Sequence, residues 1–308
     1  MKDSRVAAVP HVPIEAAAAT TTTAAAILRD YVALTKPRLN FLVVATSAAG
    51  YYLGAVGAPE LMPMAIAVGG TALVAGGAAV LNQVYERDTD ALMRRTRNRP
   101  LPDGRVAHGD ARVFGIVLSA LGLALLFVRA NAFAAGLALA TLIVYLIVYT
   151  PMKRRTPMAT LVGAVPGALP PLIGWAASHG SVSPGGAALF AIVFLWQIPH
   201  FMAIAWMYRD DYRKAGFPML PVVEPSGRRA GRQALLYTAA LVPVTLVPTL
   251  VGVSGAIYAA CAALLGAALL WLAIQFANTR TDRSARALFF GSITYLPLLW
   301  IAMIMNKL

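Results

Sequence analysis

A chain of 308 residues that is 59% hydrophobic and only 13% charged, yet carries a net charge of +13, does not fit a water-soluble domain, which needs roughly a quarter of its residues charged. The composition leaves lipid as the main solvent. The single cysteine, Cys261, excludes an intrachain disulfide and a cysteine metal site.

In chain order, residues 1–28 stand apart. Pro10 and Pro13 precede an Ala/Thr run, Ala16–Ala26. The segment lacks the leucine-rich core of a secretory signal, and with Arg5 as its one arginine before Arg29 it is too arginine-poor for a transit peptide. It reads as a flexible cytoplasmic tail. Residues 29–308 then hold nine apolar blocks, at about 40–57, 62–82, 113–129, 131–149, 158–176, 185–206, 234–253, 255–276 and 287–306, each long enough to cross ~30 Å of hydrocarbon. Lipid offers the backbone no hydrogen-bond partner, so each block must be helical. The prediction is an all-α membrane protein with nine transmembrane helices. Pro166, Pro170 and Pro171 predict a break in the fifth block, with Gly163 and Gly167 allowing close packing. Trp206 and Trp300 read as an interfacial belt.

Nine alternating crossings put 24 of the 26 Lys and Arg on one side, leaving only Arg129 and Lys307 on the other. A miscounted helix would scramble that split, so it supports the count and predicts the basic side to be cytoplasmic. The bias accounts for the net charge without a nucleic-acid partner, and no nucleic-acid-binding motif is present.

Positive-inside bias does not explain acids in the same loops, yet eight of the 13 Asp and Glu lie in two of them. After the second block, Asn82, Glu86 and Asp90 are spaced four apart. If the helix runs on to Asp90 they share one face, with Arg94 one further turn along. Two carboxylates at that spacing repel unless a cation lies between them. Hard oxygen donors in small number suit Mg²⁺ shared with phosphate. The alternative is a solvated helix end pairing acids with nearby arginines. After the sixth block comes Tyr208-Arg209-Asp210-Asp211-Tyr212, whose adjacent acids point in different directions, so that one faces inward. Two acidic sites with flanking arginines at one membrane face describe a diphosphate held between Mg²⁺ ions. Beside an apolar bundle, an isoprenyl diphosphate fits.

The run Asn82–Pro102, NQVYERDTDALMRRTRNRPLP, resembles the first aspartate-rich motif, N-x-x-x-D-x-x-x-D, of the UbiA-type intramembrane prenyltransferases, with Glu86 at the middle position. The arginine-rich continuation narrows the likeness to the haem-farnesylating branch, as do Thr35–Arg38, Tyr149–Thr156, Pro170–Trp175 and His200–Pro221. The resemblance implies nine helices around a central cavity open to the bilayer, in the bacterial inner membrane. It implies farnesyl diphosphate and haem b as substrates, haem O as product and Mg²⁺ as cofactor. Candidate partners are a haem A synthase or oxidase-assembly proteins. By that match Asn82, Glu86 and Asp90 hold one Mg²⁺ and Asp210 or Asp211 the other, with Asp211 as the catalytic choice. Arg94, Arg97, Lys153 and Arg154 are the candidates for diphosphate. The second motif departs from D-x-x-x-D, since Met207 and Lys214 occupy the outer positions. The rival readings are another UbiA-type enzyme with a quinone-precursor or chlorin acceptor, and a haem-handling transporter.

His200 lies inside the sixth block, where an ionisable residue is a functional candidate. It could contact haem iron or a propionate, orient a metal-site acid, or be purely structural. Tyr208 and Tyr212 bracket the acids, where they could face a cation or anchor the interface.

Overall fold

The structure is a computed structural model that describes residues 23–308. Every element in it is helical: α1 (Ala24–Leu34), α2 (Pro37–Gly54), α3 (Leu61–Leu92), α4 (His108–Arg129), α5 (Ala132–Ile143), a π-turn (Val144–Tyr149) running into α6 (Thr150–Met152), α7 (Ala159–His179), α8 (Pro184–Met207), α9 (Arg209–Lys214), α10 (Leu220–Val223), α11 (Arg228–Val244), α12 (Val247–Leu250), α13 (Ala256–Thr279) and α14 (Asp282–Met305). The expected tail lies outside the described residues, apart from its end, which enters α1 behind a Thr23 cap.

Among the described residues eight helical stretches are long and apolar enough to span a membrane, with α5–α6 and α11–α12 each counted as one. The ninth predicted block is α2, whose 18 residues begin Pro-Arg-Leu-Asn and are more polar. The nine blocks thus correspond one to one with α2, α3, α4, α5–α6, α7, α8, α11–α12, α13 and α14. The chain is a multi-pass, all-α membrane protein.

Lipid gives helices no hydrophobic reason to associate, so close packing must hold them. At the α3–α4 contact a Cβ on Gly77 would collide with Ser119 and the Gly115 carbonyl, and one on Gly122 with the Gly70 carbonyl. At the α2–α7 contact Gly50 meets the Pro171 carbonyl and Gly174 the Ser47 carbonyl. One buried cluster joins α8, α11, α13 and α14, another joins α2 to α5, and α7 contributes to both.

Two expectations are overturned here. Pro166, Pro170 and Pro171 do not break their helix, since α7 runs uninterrupted from Ala159 to His179. The backbone-to-backbone contacts with α2 hold its axis although three N–H donors are missing. Trp206 and Trp300 are not an interfacial belt. They are 7% and 6% exposed, inside the cluster of α8, α11, α13 and α14.

Candidate active site

The second apolar block ends near residue 82, but its helix does not. α3 continues to Leu92, so Asn82, Glu86 and Asp90 share one face as their spacing predicts. They are 1%, 7% and 2% exposed. Met93 then leaves the helix in an extended conformation, and the following turns fold back over its end. Thr96 Oγ1 donates to the Asp90 carbonyl at 2.7 Å, and Arg99 donates to Asp90 Oδ2 at 2.6 Å.

Burying a carboxylate costs several kcal/mol unless a charge and hydrogen bonds compensate. Glu86 receives both. Lys153 Nζ lies 3.0 Å from Oε1 and 3.3 Å from Oε2, and Asn82 Nδ2 donates to Oε2 at 2.8 Å. The π-turn after α5 delivers this lysine. Such turns are rare and cluster at functional sites. Here the turn stacks Tyr145 on Tyr149 with ring centroids 5.5 Å apart and sets Lys153 Nζ 4.5 Å from the Tyr149 ring centre. Thr150 Oγ1 lies 2.7 Å from the Tyr145 carbonyl and 3.0 Å from Asn82 Oδ1, joining the turn to the acidic face. Gly163 of α7 leaves the space that the Tyr149 ring occupies. Burial opposes the Lys153 charge, but Tyr149 and Glu86 outweigh it and hold the ammonium above the ordinary lysine value.

Lys36 completes the cluster from in front of α2. Its φ of 51° is left-handed, and it precedes Pro37, a combination that is strained and typical of functional positions. Burial, then the charges of Arg99 and Lys153, pull its pKa down to about 7 against the pull of Glu86 and Asp90.

No three acidic, histidine or cysteine side chains converge among the described residues. The donors on α3 are two carboxylates and one amide oxygen, and they face three basic side chains. That set fits Mg²⁺, which takes one or two carboxylates and fills its remaining positions with water and phosphate oxygens.

The second acidic motif forms a separate wall. Asp210, Asp211, Met207 and Tyr208 line a pocket of about 390 Å³ with Arg94 and Arg95 from the turns after α3. Asp210 is exposed and paired 2.6 Å from Arg213 on its own helix. Asp211 is half-buried and makes no ion pair among the described residues. Arg95 ties the motifs together, with its guanidinium carbon 5.5 Å from the Tyr208 ring centre and 5.1 Å from that of Tyr212, and a 3.0 Å hydrogen bond to the Tyr212 hydroxyl.

The structure therefore brings Asn82, Glu86, Asp90 and Lys153 together, and separately Arg94 with Asp210 and Asp211. Arg94 is not one turn further along the acidic face, because α3 ends at Leu92. Arg97 and Arg154 are exposed and contact none of these acids among the described residues. His200 lies apart, between α8 and α14. Sequence reasoning missed Lys36, Arg99, Tyr145, Tyr149 and Thr150 as site residues. Lys36, Arg99, Tyr149 and Thr150 lie in the runs that carry the family resemblance, and Tyr145 is spaced four from Tyr149, but no periodic pattern marked any of them as a site residue.

The fold and the sequence both have close counterparts. Structures of a digeranylgeranylglyceryl phosphate synthase (TM-score 0.77, 17% identity, 91% of this chain and 98% of that one) and of a UbiA homolog from Archaeoglobus fulgidus bound to DMAPP and Mg²⁺ (0.67, 18%, 89% and 99%) share its fold. In sequence it is 45% identical over 289 residues to a protoheme IX farnesyltransferase of Solibacter usitatus, covering 91% of this chain and 99% of that one. It is 48% identical over 280 residues to the enzyme of that name from Opitutus terrae, covering 91% and 95%. Residues 43–296, which include the acidic face, its lysine and both walls of the pocket, match the UbiA prenyltransferase family, and the chain belongs to that family.

Proposed function

We propose that the protein transfers the farnesyl group of farnesyl diphosphate to a vinyl group of haem b, with addition of water, to give haem O and diphosphate. The observation that carries this reading is the buried Asn82–Glu86–Asp90 face, neutralised by Lys153 and Arg99, in a chain 43–48% identical to protoheme IX farnesyltransferases over about 90% of its length. Basic side chains alone would bind phosphate; paired buried carboxylates are what call for a metal.

Asn82, Glu86 and Asp90 would hold one Mg²⁺, and Asp211, the member of its motif without an ion pair among the described residues, a second. The metal would supply positive charge to the departing diphosphate oxygens. Lys153, Arg99 and Lys36 are the groups this chain adds. Lys153 and Arg99 each have an acid to leave and a phosphate oxygen to gain, so their charge would reach the leaving group as the C–O bond breaks. Once Lys153 leaves the Tyr149 ring, the Tyr145 and Tyr149 faces would be free to stabilise an allylic cation. Apolar side chains around the farnesyl chain keep water off that cation until the vinyl carbon attacks. Water then supplies the hydroxyl to the resulting cation and releases a proton. The basic face is cytoplasmic, the membrane is the bacterial inner membrane, and residues 29–308 form the catalytic domain.

The test is mass spectrometry of haem extracted from cells expressing the protein and its Asp90→Ala variant. Haem O present with the first and absent with the second is the expected result. A prenylated aromatic acid in place of haem O, or full haem O formation by Asp90→Ala, refutes the reading.

A further inference from the structure

His200 is an ionisable side chain inside a membrane-spanning helix that the metal and diphosphate chemistry leaves unused, and its surroundings fix which ring nitrogen is free. Its Nδ1 lies 2.8 Å from Ser292 Oγ on α14. A serine hydroxyl has one proton to give. Ser292 Oγ is also 2.7 Å from the Phe289 carbonyl, which can only accept, so the hydroxyl donates there. Nδ1 must therefore donate to Oγ. That leaves the lone pair on Nε2, which has no hydrogen-bond partner among the described residues and is not sealed in.

The ring is held flat. It stacks between Trp196, with centroids 5.0 Å apart and planes 19° apart, and Phe289, at 5.1 Å and 23°. Trp196 is itself pinned by its Nε1 donating to the Ser292 carbonyl at 2.8 Å. Direction follows from helix geometry. Trp196 faces α14, while Gln197 faces α7, where it donates to the Ala164 carbonyl. At 100° per residue, His200 points about 40° from Trp196 and about 60° from Gln197, between the two. It therefore points between α14 and α7, about 10 Å in from the basic end of α8.

We propose that His200 Nε2 coordinates the iron of the porphyrin acceptor, an inference that rests on the haem reading above. An imidazole that donates from one nitrogen into a fixed hydrogen-bond chain and presents the other bare is how proteins prepare a histidine for a metal. Nitrogen of this type suits porphyrin iron. Such a bond would fix the porphyrin plane, and with it the vinyl group offered to the farnesyl cation, using neither Mg²⁺ nor the acids of α3.

The test uses full-length protein in lipid nanodiscs, titrated with protohaem and with iron-free protoporphyrin IX. Wild-type protein with ferrous haem should give an iron–histidine stretching band in resonance Raman spectra. His200→Ala should lose that band, regain a band from added imidazole, and bind protohaem at least about tenfold more weakly while its affinity for iron-free protoporphyrin is unchanged. Ser292→Ala, which keeps the ligand but removes its orientation, should weaken protohaem binding alone, by about tenfold. Farnesyl diphosphate binding by each variant checks its fold. Equal losses for both porphyrins would make His200 a packing residue and overturn the proposal, as would an unchanged Raman band in His200→Ala. Wild-type protein that makes haem O but fails these tests refutes the His200 role alone. Wild-type protein that neither binds nor farnesylates haem refutes the proposed function, and this role with it.

Discussion

Replacing Lys153 by methionine tests whether this lysine stands in for a metal ion. The pair is largely buried, with side chains 14% exposed for Lys153 and 8% for Glu86. Methionine keeps most of the volume and removes the charge, leaving Glu86 with one neutral donor, Asn82 Nδ2. Breaking a buried pair from one side costs about 3–5 kcal/mol, and the position near the mouth favours the lower end. The double variant Glu86→Gln/Lys153→Met removes both charges and keeps an acceptor for Asn82, so its cost should be about 1 kcal/mol, that of one altered hydrogen bond. The coupling between the two sites is then at least about 2 kcal/mol. The assay is reversible unfolding in mixed micelles with EDTA, repeated with Mg²⁺. Mg²⁺ should stabilise Lys153→Met more than wild type, because the ion supplies the charge that the variant lacks. A loss below about 1 kcal/mol in Lys153→Met, or additive single-variant losses in the double variant, would refute the reasoning.

Three further outcomes are expected. Asp211→Asn should lower turnover by about a hundredfold while Asp210→Asn, whose loss frees only an exposed Arg213, should stay within about threefold; steady-state rates of both check this, and equal effects would contradict it. In metal-free protein Lys36 is charged below its pKa of about 7 and neutral above it. Its contribution to diphosphate affinity is therefore full below pH 7 and lost as pH rises through that value. Calorimetric titration with farnesyl diphosphate in EDTA at pH 6 and pH 8 should show this weakening, and Lys36→Met should abolish it. Gly174→Ala puts a Cβ onto the Ser47 carbonyl and should destabilise the protein by about 1–3 kcal/mol, while Gly136→Ala, with open space around it, should not; thermal unfolding of the pair decides.

The helical blocks were legible because lipid removes alternatives: a 20-residue apolar block has helix as its only solution. The acidic face was legible because a spacing of four along an extended α3 needs no tertiary information. Arg99 was not. It reaches Asp90 only because Met93 turns the chain back, and no periodic pattern encodes such a turn. Lys153 was singled out by resemblance, but its approach to Glu86 depends on a π-turn that shifts the helical register. The prolines of α7 misled because the rule for breaking a helix ignores the neighbours that hold it. Trp206 and Trp300 misled because length along a helix gives depth in the membrane but not which side faces protein.

In the proposed mechanism Asn82, Glu86 and Asp90 would hold a metal beside the diphosphate, and Lys153 and Arg99 would pass from the acids to the phosphate oxygens. The most direct measurement is a structure with a non-hydrolysable farnesyl diphosphate analogue and Mn²⁺, located by its anomalous scattering. The expected result is a metal peak at Glu86 and Asp90, with the Lys153 and Arg99 side chains moved onto phosphate oxygens. A metal and diphosphate found only at Asp210 and Asp211, or on the opposite face beside Lys307, with Glu86–Lys153 and Asp90–Arg99 still paired, would contradict it.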